Sequence, residues 1–242
     1  MALLTSAIKG APSRNNHAHV VNELGRAIVA GRYSVGEILP GDAELVEQFG
    51  VSRTVLREAM KTLAAKGLII ARARVGTKVT NRAQWNLFDS DVLGWFFAGG
   101  PDREFLHHLS DMRLGFEPNA ARLAALHASK ETVGLMENLV VEMAQATTNE
   151  AFAMADLSFH LALLDASGNP FMHSVGTLIE AALATTFQIS SPAKEPRARA
   201  LVADAHGAIV KAIAKRDPEA AAKATIKVIT AGRDRVAEQL AP

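Results

Sequence analysis

The sequence predicts a mainly α protein in two parts: three short helices closed by a β-hairpin, then an antiparallel bundle of six to seven helices. Three observations carry this. Apolar residues recur at helical spacing along most of the 242 residues. Strand-like alternation occurs in one place, "LIIARARVGTKVT", residues 68–80. Charge is unevenly divided: up to Arg82 there are 12 Lys/Arg against 6 Asp/Glu, and from Ala83 onward 14 against 19. A basic head on an acidic body predicts that the head meets a polyanion and the body does not.

Composition removes several classes of function. With 49% apolar residues the chain has enough hydrophobic side chains for a sizeable core, which argues against wholesale disorder. It has no cysteine, so disulfides, thiolate zinc sites and thiol nucleophiles are all excluded. No apolar run approaches the roughly 18 residues of a membrane span, and no secretory h-region opens the chain. A cytoplasmic protein is the expectation.

Each element follows from local chemistry. Residues 1–16 read as a loosely ordered leader. A first helix runs from His17 to Ala30, with Val20, Val21, Leu24, Ile28 and Val29 at helical spacing and Gly31 as its stop. "YSVGEILPGD" is turn chemistry. Asp42 is placed to cap a second helix, "AELVEQF", which Gly50 ends. Ser52 is placed to cap a third, which runs to about Lys66 and stops at Gly67. The hairpin then turns about Val75-Gly76. This order, over residues 17–80, is that of a winged helix-turn-helix. Residues 81–91 read as a linker. Residues 92–242 show helical periodicity interrupted by short Gly, Pro, Ser and Asp breaks, the pattern of a helical bundle.

In such a head the third helix offers its first turns to base edges. Ser52, Arg53, Thr54 and Arg57 occupy those positions. Arginine to guanine is the commonest specific major-groove contact, and Ser, Thr and the helix N-terminus suit phosphates. Arg72, Arg74 and Lys78 of the hairpin are placed to follow a DNA backbone or enter a minor groove, with Gly76 allowing close approach. For any single arginine of this set, plain solvation of a surface helix is the better reading. The whole set, on one face of this topology, predicts double-stranded DNA as the partner.

The stretch "EILPGDAELVEQFGVSRTVLREAMKTLAAKGLIIARARVGTKV" resembles the DNA-binding domain of the GntR family of bacterial regulators. The all-helical remainder resembles the FadR-type branch, whose C-terminal module, the FCD domain, binds effectors. One departure is Ala43, where the family often carries arginine, so a DNA contact made there by relatives is absent. The stretch "QWNLFDSDVLGW", residues 84–95, is similar to the galactonate-operon repressors of this branch. The resemblance implies a ligand-responsive repressor, a homodimer on a pseudo-palindromic operator, answering a small carboxylate such as a sugar acid.

Within the body, Asp156 and His160 are spaced to lie on one helical face, His206 opens a later helix, and Arg113 with Glu117 has the spacing of an intrahelical ion pair. The resemblance makes Asp156, His160 and His206 three ligands of a divalent metal such as zinc in the effector cavity. Val228 stands at the position of the fourth. Two versions stay open: three protein ligands hold a metal with open sites, or the polar trio hydrogen-bonds the effector without one. Arg113 or the metal suits the effector's carboxylate, and His206 and Asn169 suit hydroxyls. Gln188, Ser190 and Ser191 are further candidates for the cavity wall. Trp85 and Trp95 are expected to anchor the linker to the bundle by apolar burial. Coupling between effector and DNA is expected to pass through residues 82–91. Two other classes fit the chain less well: a metal-dependent enzyme with a DNA-binding head, for which no general base or nucleophile motif is visible, and an architectural DNA binder, which the acidic body disfavours.

Overall fold

The computed structural model describes residues 16–99 and 103–240; side chains of residues 177–179, 181, 182 and 185 are not described. The leader expected at residues 1–16 therefore lies outside the described residues, except for Asn16. The chain divides into two compact units, one ending at Gly100 and the other starting at Pro101.

The first unit opens with α1 (Asn16–Val29), whose buried Val20, Val21, Leu24 and Ile28 form one stripe. Next come α2 (Asp42–Phe49) and α3 (Arg53–Ala65). Ser52 caps α3 as expected, its Oγ accepting from the Val55 amide at 3.3 Å. Asp42 does not cap α2. The N-cap is Gly41, which has no side chain to offer, and Asp42 sits inside the first turn, where its charge favours the helix N-terminus. Strands β1 (Ile69–Arg72) and β2 (Gly76–Val79) pair antiparallel, with Ile69 opposite Val79 and Arg72 opposite Gly76.

Two features of this unit were not expected. The hairpin does not turn on Val75-Gly76; the turn is Ala73-Arg74-Val75, with Arg74 in the left-handed region at φ 62°. In addition, residues 36–39 run beside β2 rather than forming only a turn. Leu39 N donates to Thr77 O at 2.8 Å, Val79 N donates to Glu37 O at 2.9 Å, and Ile38 bridges Lys78. The outer edge of the wing is thereby covered, which satisfies backbone groups that a lone hairpin leaves open.

The linker belongs to this unit. After a 3-10 turn at Arg82–Gln84, α4 (Ser90–Ala98) is capped by Asp89, which accepts from the amides of Asp91 and Val92. Trp85 and Trp95 are buried in the same apolar cluster as Leu24, Leu56 and Leu63. The Trp85 indole donates to Thr80 Oγ1 at 3.1 Å and the Trp95 indole to Asn22 Oδ1 at 3.1 Å. Gly25 makes room for Trp95, since a Cβ there would lie 2.4 Å from the ring. So both tryptophans anchor on the head, not on the bundle, and residues 92–98 pack with the first unit rather than starting the second. Lys66, at the end of α3, ties the same junction: its Nζ lies 2.7 Å from Asp89 and 2.8 Å from Asp91. Burial works against this ammonium, but hydrogen bonds to Asp89 and Asp91 outweigh it and raise its pKa.

The second unit consists, among the described residues, of α5 (Arg103–His127), α6 (Lys130–Gln145), α7 (Asn149–Ala166), α8 (Pro170–Ser190), α9 (Pro196–Ala214) and α10 (Pro218–Gln239). Its core mixes large side chains (Phe152, Phe159, Met136, Met143) with many alanines. Ala120, Ala121, Ala124 and Ala125 line the buried face of α5, and Ala221 and Ala222 that of α10. Small side chains let such helix pairs pack closely. Helix ends are capped by Ser129, Thr148 and Asp217. Arg216 donates to the carbonyls of Ala125 and Ala128, satisfying the chain end of α5 from another helix. No helix among the described residues is long and apolar enough to cross a membrane.

Candidate functional sites in the head and the bundle

Ser52, Arg53, Thr54 and Arg57 are all exposed at the start of α3, while Leu56, Ala59 and Leu63 of the same helix are buried. The one acid within the first turns, Glu58, is engaged by Lys61 at 2.8 Å. Neither Arg53 nor Arg57 forms a hydrogen bond or ion pair among the described residues. Arg72, Arg74, Gly76 and Lys78 are exposed on the wing. The first unit therefore presents cations that the fold does not use internally.

Among the described residues the second unit gathers its buried ionisable groups in one place. Asp156 and His160 come from successive turns of α7, His206 from α9, and Arg113 and Glu117 from α5; each is less than 5% exposed. Asp156 Oδ1 lies 3.1 Å from His206 Nε2 and 3.3 Å from His160 Nε2. The far nitrogens of both rings are tied down. His206 Nδ1 donates to the Val202 carbonyl at 2.8 Å, and His160 Nδ1 lies 2.6 Å from Glu117 Oε2. Such bonds fix the ring orientations and turn the His206 Nε2 towards Asp156, while the His160 Nε2 also lies 3.1 Å from Arg113 Nη2. Phe159 packs edge-on to His206, and Phe187 stacks on His160, which holds both rings in an apolar shell.

The electrostatics follow from this enclosure. For Glu117 burial opposes ionisation, but Arg113 and His160 outweigh it and hold its carboxyl down to about 2. For Asp156 burial again opposes the charge, and His206 and His160 hold the carboxyl well below the usual range. His160 is the converse: burial penalises its cation, yet Glu117 raises its pKa. Asp156 Oδ1 and His206 Nε2, both fully enclosed, approach each other at ion-pair distance but have no well-formed hydrogen bond among the described residues. A carboxylate oxygen facing two imidazole lone pairs is repulsive unless a positive centre sits among them, either a proton or a metal ion. The three donor atoms lie within 4.8 Å of one another, close enough for one ion.

A small cavity of about 10 Å³, roughly the room one water needs, opens on this cluster. Its wall includes Ser110, Arg113, Thr186, Ser190, Val228 and Arg235. The structure thus gathers Arg113, Asp156, His160, His206, Ser190 and Val228, as the sequence reading expected. It does not gather Asn169, Gln188 or Ser191. Asn169 Oδ1 accepts from the Phe171 amide at 2.9 Å as the N-cap of α8, and Ser191 Oγ accepts from Ala193 N. Asparagine before Pro170 at a helix start is a capping signal that outranks a ligand role. Sequence spacing pairs Glu117 only with Arg113; its second bond, to His160, joins side chains 43 positions apart and has no signature in the chain.

Comparison with known proteins bears on both units. The family description "Bacterial regulatory proteins, gntR family" matches residues 16–79, and the FCD domain matches residues 108–231. The chain is 37% identical over 223 residues to the uncharacterized HTH-type transcriptional regulator YieP of Escherichia coli, covering 90% of this chain and 94% of that protein. It is 33% identical over 225 residues to the galactonate operon transcriptional repressor of Escherichia coli, covering 93% and 98%. A solved structure of Lar, which controls the agr system of Listeria monocytogenes, is similar with a TM-score of 0.65 at 19% identity, over 94% of this chain and 99% of that one. At that identity the likeness shows the fold alone.

Proposed function

We propose, from the premise that this chain belongs to the gntR family of bacterial regulatory proteins and carries an FCD domain, that it is a repressor whose signal is a small sugar acid. That it is a transcriptional regulator of this family follows from both matches and from relatives that are regulators rather than enzymes. The observation that carries the reading of its signal is the enclosed Asp156–His160–His206 cluster with its orphaned oxygen and nitrogen atoms. We read it as a ligand site, not a catalytic centre.

In this reading Arg53 and Arg57 reach base edges, Ser52 and Thr54 bind phosphates, and Arg72, Arg74 and Lys78 contact the backbone or minor groove past Gly76. Two copies related by a twofold axis bind a pseudo-palindromic operator. Ligand binding shifts the dimer only insofar as the ligand prefers one arrangement of the heads over the other. The coupling runs through residues 82–91.

The donor set fits a divalent metal such as zinc. Asp156 Oδ1 and the ring nitrogens of His160 and His206 would hold it, with Glu117 orienting His160 and Val228 supplying no fourth donor. A bound ion would offer open coordination positions to a carboxylate or hydroxyl oxygen. The galactonate class is supported by the repressor relative at 33% identity, though YieP at 37% carries no effector in its name.

The test is the thermal midpoint of the purified chain against a panel of sugar acids, with and without a chelator. Galactonate or another aldonate is expected to raise it, and chelation to abolish the rise; a flat response to every sugar acid removes this effector class. Asp156→Ala is expected to eliminate stoichiometric metal measured by elemental analysis. Metal retained at one per chain in that variant would place the ion elsewhere.

The wing offers a separate check. Arg74 holds a left-handed conformation that costs a non-glycine residue about 1–2 kcal/mol. Arg74→Gly is therefore expected to leave the thermal midpoint unchanged or raise it, while weakening DNA binding by loss of a cation. Falling stability and affinity together would make Arg74 a structural residue.

A further inference from the structure

Three arginines line the cavity: Arg113, Arg233 and Arg235. Two of them already have carboxylate partners. Arg113 Nε lies 2.6 Å from Glu117 Oε1, and its Nη2 lies 3.1 Å from His160 Nε2, with the guanidinium over the Phe187 ring. Arg233 lies 3.6 Å from Asp234 and 3.9 Å from Asp111. Arg235 differs. Its Nε donates to the Ser190 carbonyl at 3.1 Å, which fixes its direction. Among the described residues no carboxylate comes within ion-pair distance of it, and its two terminal nitrogens make no hydrogen bond.

The placement follows from helical spacing. Val228, Gly232 and Arg235 stand at i, i+4 and i+7 of α10 and share one face, which forms this wall of the cavity. Val228 is apolar and buried. Gly232 has no side chain, and the Arg235 Nη2 would lie 3.7 Å from a Cβ placed there, so the guanidinium flank is open on that side. Burial lowers the Arg235 pKa, but a guanidinium stays charged at any physiological pH. Asp156, Glu238 and Asp234 favour its charge from a distance, but none of them hydrogen-bonds it, so its terminal nitrogens are left to an arriving anion. Around it stand the hydroxyls of Ser110, Thr186 and Ser190.

We propose that Arg235, and not Arg113, grips the carboxylate of the effector, its two terminal nitrogens forming a bidentate pair with a small hydroxy acid whose hydroxyls face the serine and threonine side chains. The inference rests on the reading of this cavity as the effector site. It refines that reading because Arg113, the cation marked by sequence, is consumed in orienting Glu117 and His160.

The test compares wild type, Arg235→Gln and Arg235→Lys by thermal shift and calorimetry with three probes: galactonate, its neutral lactone, and acetate against chloride at equal ionic strength. Folding of each variant is checked by its circular-dichroism melt. If Arg235→Gln does not fold, Arg235→Lys, which keeps the charge but not the fork, carries the test. Loss of the guanidinium is expected to weaken galactonate about ten- to a hundredfold and to leave the lactone unchanged. Acetate stabilisation is expected to vanish with it. Equal galactonate binding by wild type and Arg235→Gln overturns the role of Arg235 and leaves the sugar-acid reading standing. Acetate stabilisation that needs Arg235, without any response to galactonate, keeps Arg235 and removes the sugar acid. Wild type indifferent to both acids overturns both.

Discussion

Arg53→Ala and Arg57→Ala are each expected to weaken binding to a DNA site selected from a random pool by about ten- to a hundredfold at fixed salt, with folding and ligand binding intact. The magnitude is that of one lost bidentate arginine–guanine pair, about 1–3 kcal/mol. Neither side chain supports the fold: both are exposed at the start of α3, and neither is engaged in a hydrogen bond or ion pair among the described residues. The two readouts separate base from phosphate contact. A residue that reads a base relaxes the preference at one position of the site, whereas one that meets only phosphate lowers affinity uniformly and reduces the salt dependence. The double variant is expected to retain only non-specific binding. Full sequence preference in both single variants would sink the assignment of α3 as the reading helix.

Gly67→Ala is expected to unfold the head while sparing the ligand response of the bundle. Gly67 stands between α3 and β1 at φ +80°, and an added Cβ would meet the Gln84 carbonyl oxygen at 2.0 Å and the Trp85 Cα at 3.3 Å. The left-handed backbone alone costs alanine about 1–2 kcal/mol, and the overlap adds about 1–3 kcal/mol because backbone, not a movable side-chain tip, lies in the way. Relief requires Gln84 to retreat, and Trp85, buried against the head core, retreats with it. Gly31→Ala is the control. Its φ is +78° but nothing lies within 4 Å of the added carbon, so only the conformational cost remains. The measurement is thermal unfolding followed by DNA binding. Equal midpoints for the two variants would show that the contact with Gln84 contributes nothing.

Most of the head was legible because its rules are local. Ser52 capping α3, Gly31 and Gly50 ending helices, and the alternation at residues 68–80 each depend on neighbours within a few positions. The exposed Arg53 and Arg57 opposite buried Leu56 and Leu63 are a helical-period statement that any reader of the chain can make. Where the reading failed, the missing term was a partner distant in sequence. The strand-like run at residues 36–39 pairs with β2 some forty positions on, and Gly36, Pro40 and Gly41 masked it as a turn. Trp85 and Trp95 announced burial but not against what; Gly25 and Asn22 decided that from α1. Asn169 carried two possible roles, and its place before a proline-led helix selected the cap.

The cavity divides along the same line. Its donor trio was marked by residue type, and the i, i+4 spacing of Asp156 and His160 put two members on one face of α7. A family, a two-part architecture and a set of chemically apt side chains were thus written into the order of the chain, because periodicity, capping and charge segregation act over one or two turns. Which arginine is spent and which is free was decided only when α5, α7, α9 and α10 came together. Arg113 gave its charge to Glu117 and His160, while Arg235 was left aimed at the cavity with only the Ser190 carbonyl on its Nε. An ion's worth to a site depends on what else lies within a few ångströms, and that distance is set by packing rather than by position in the sequence.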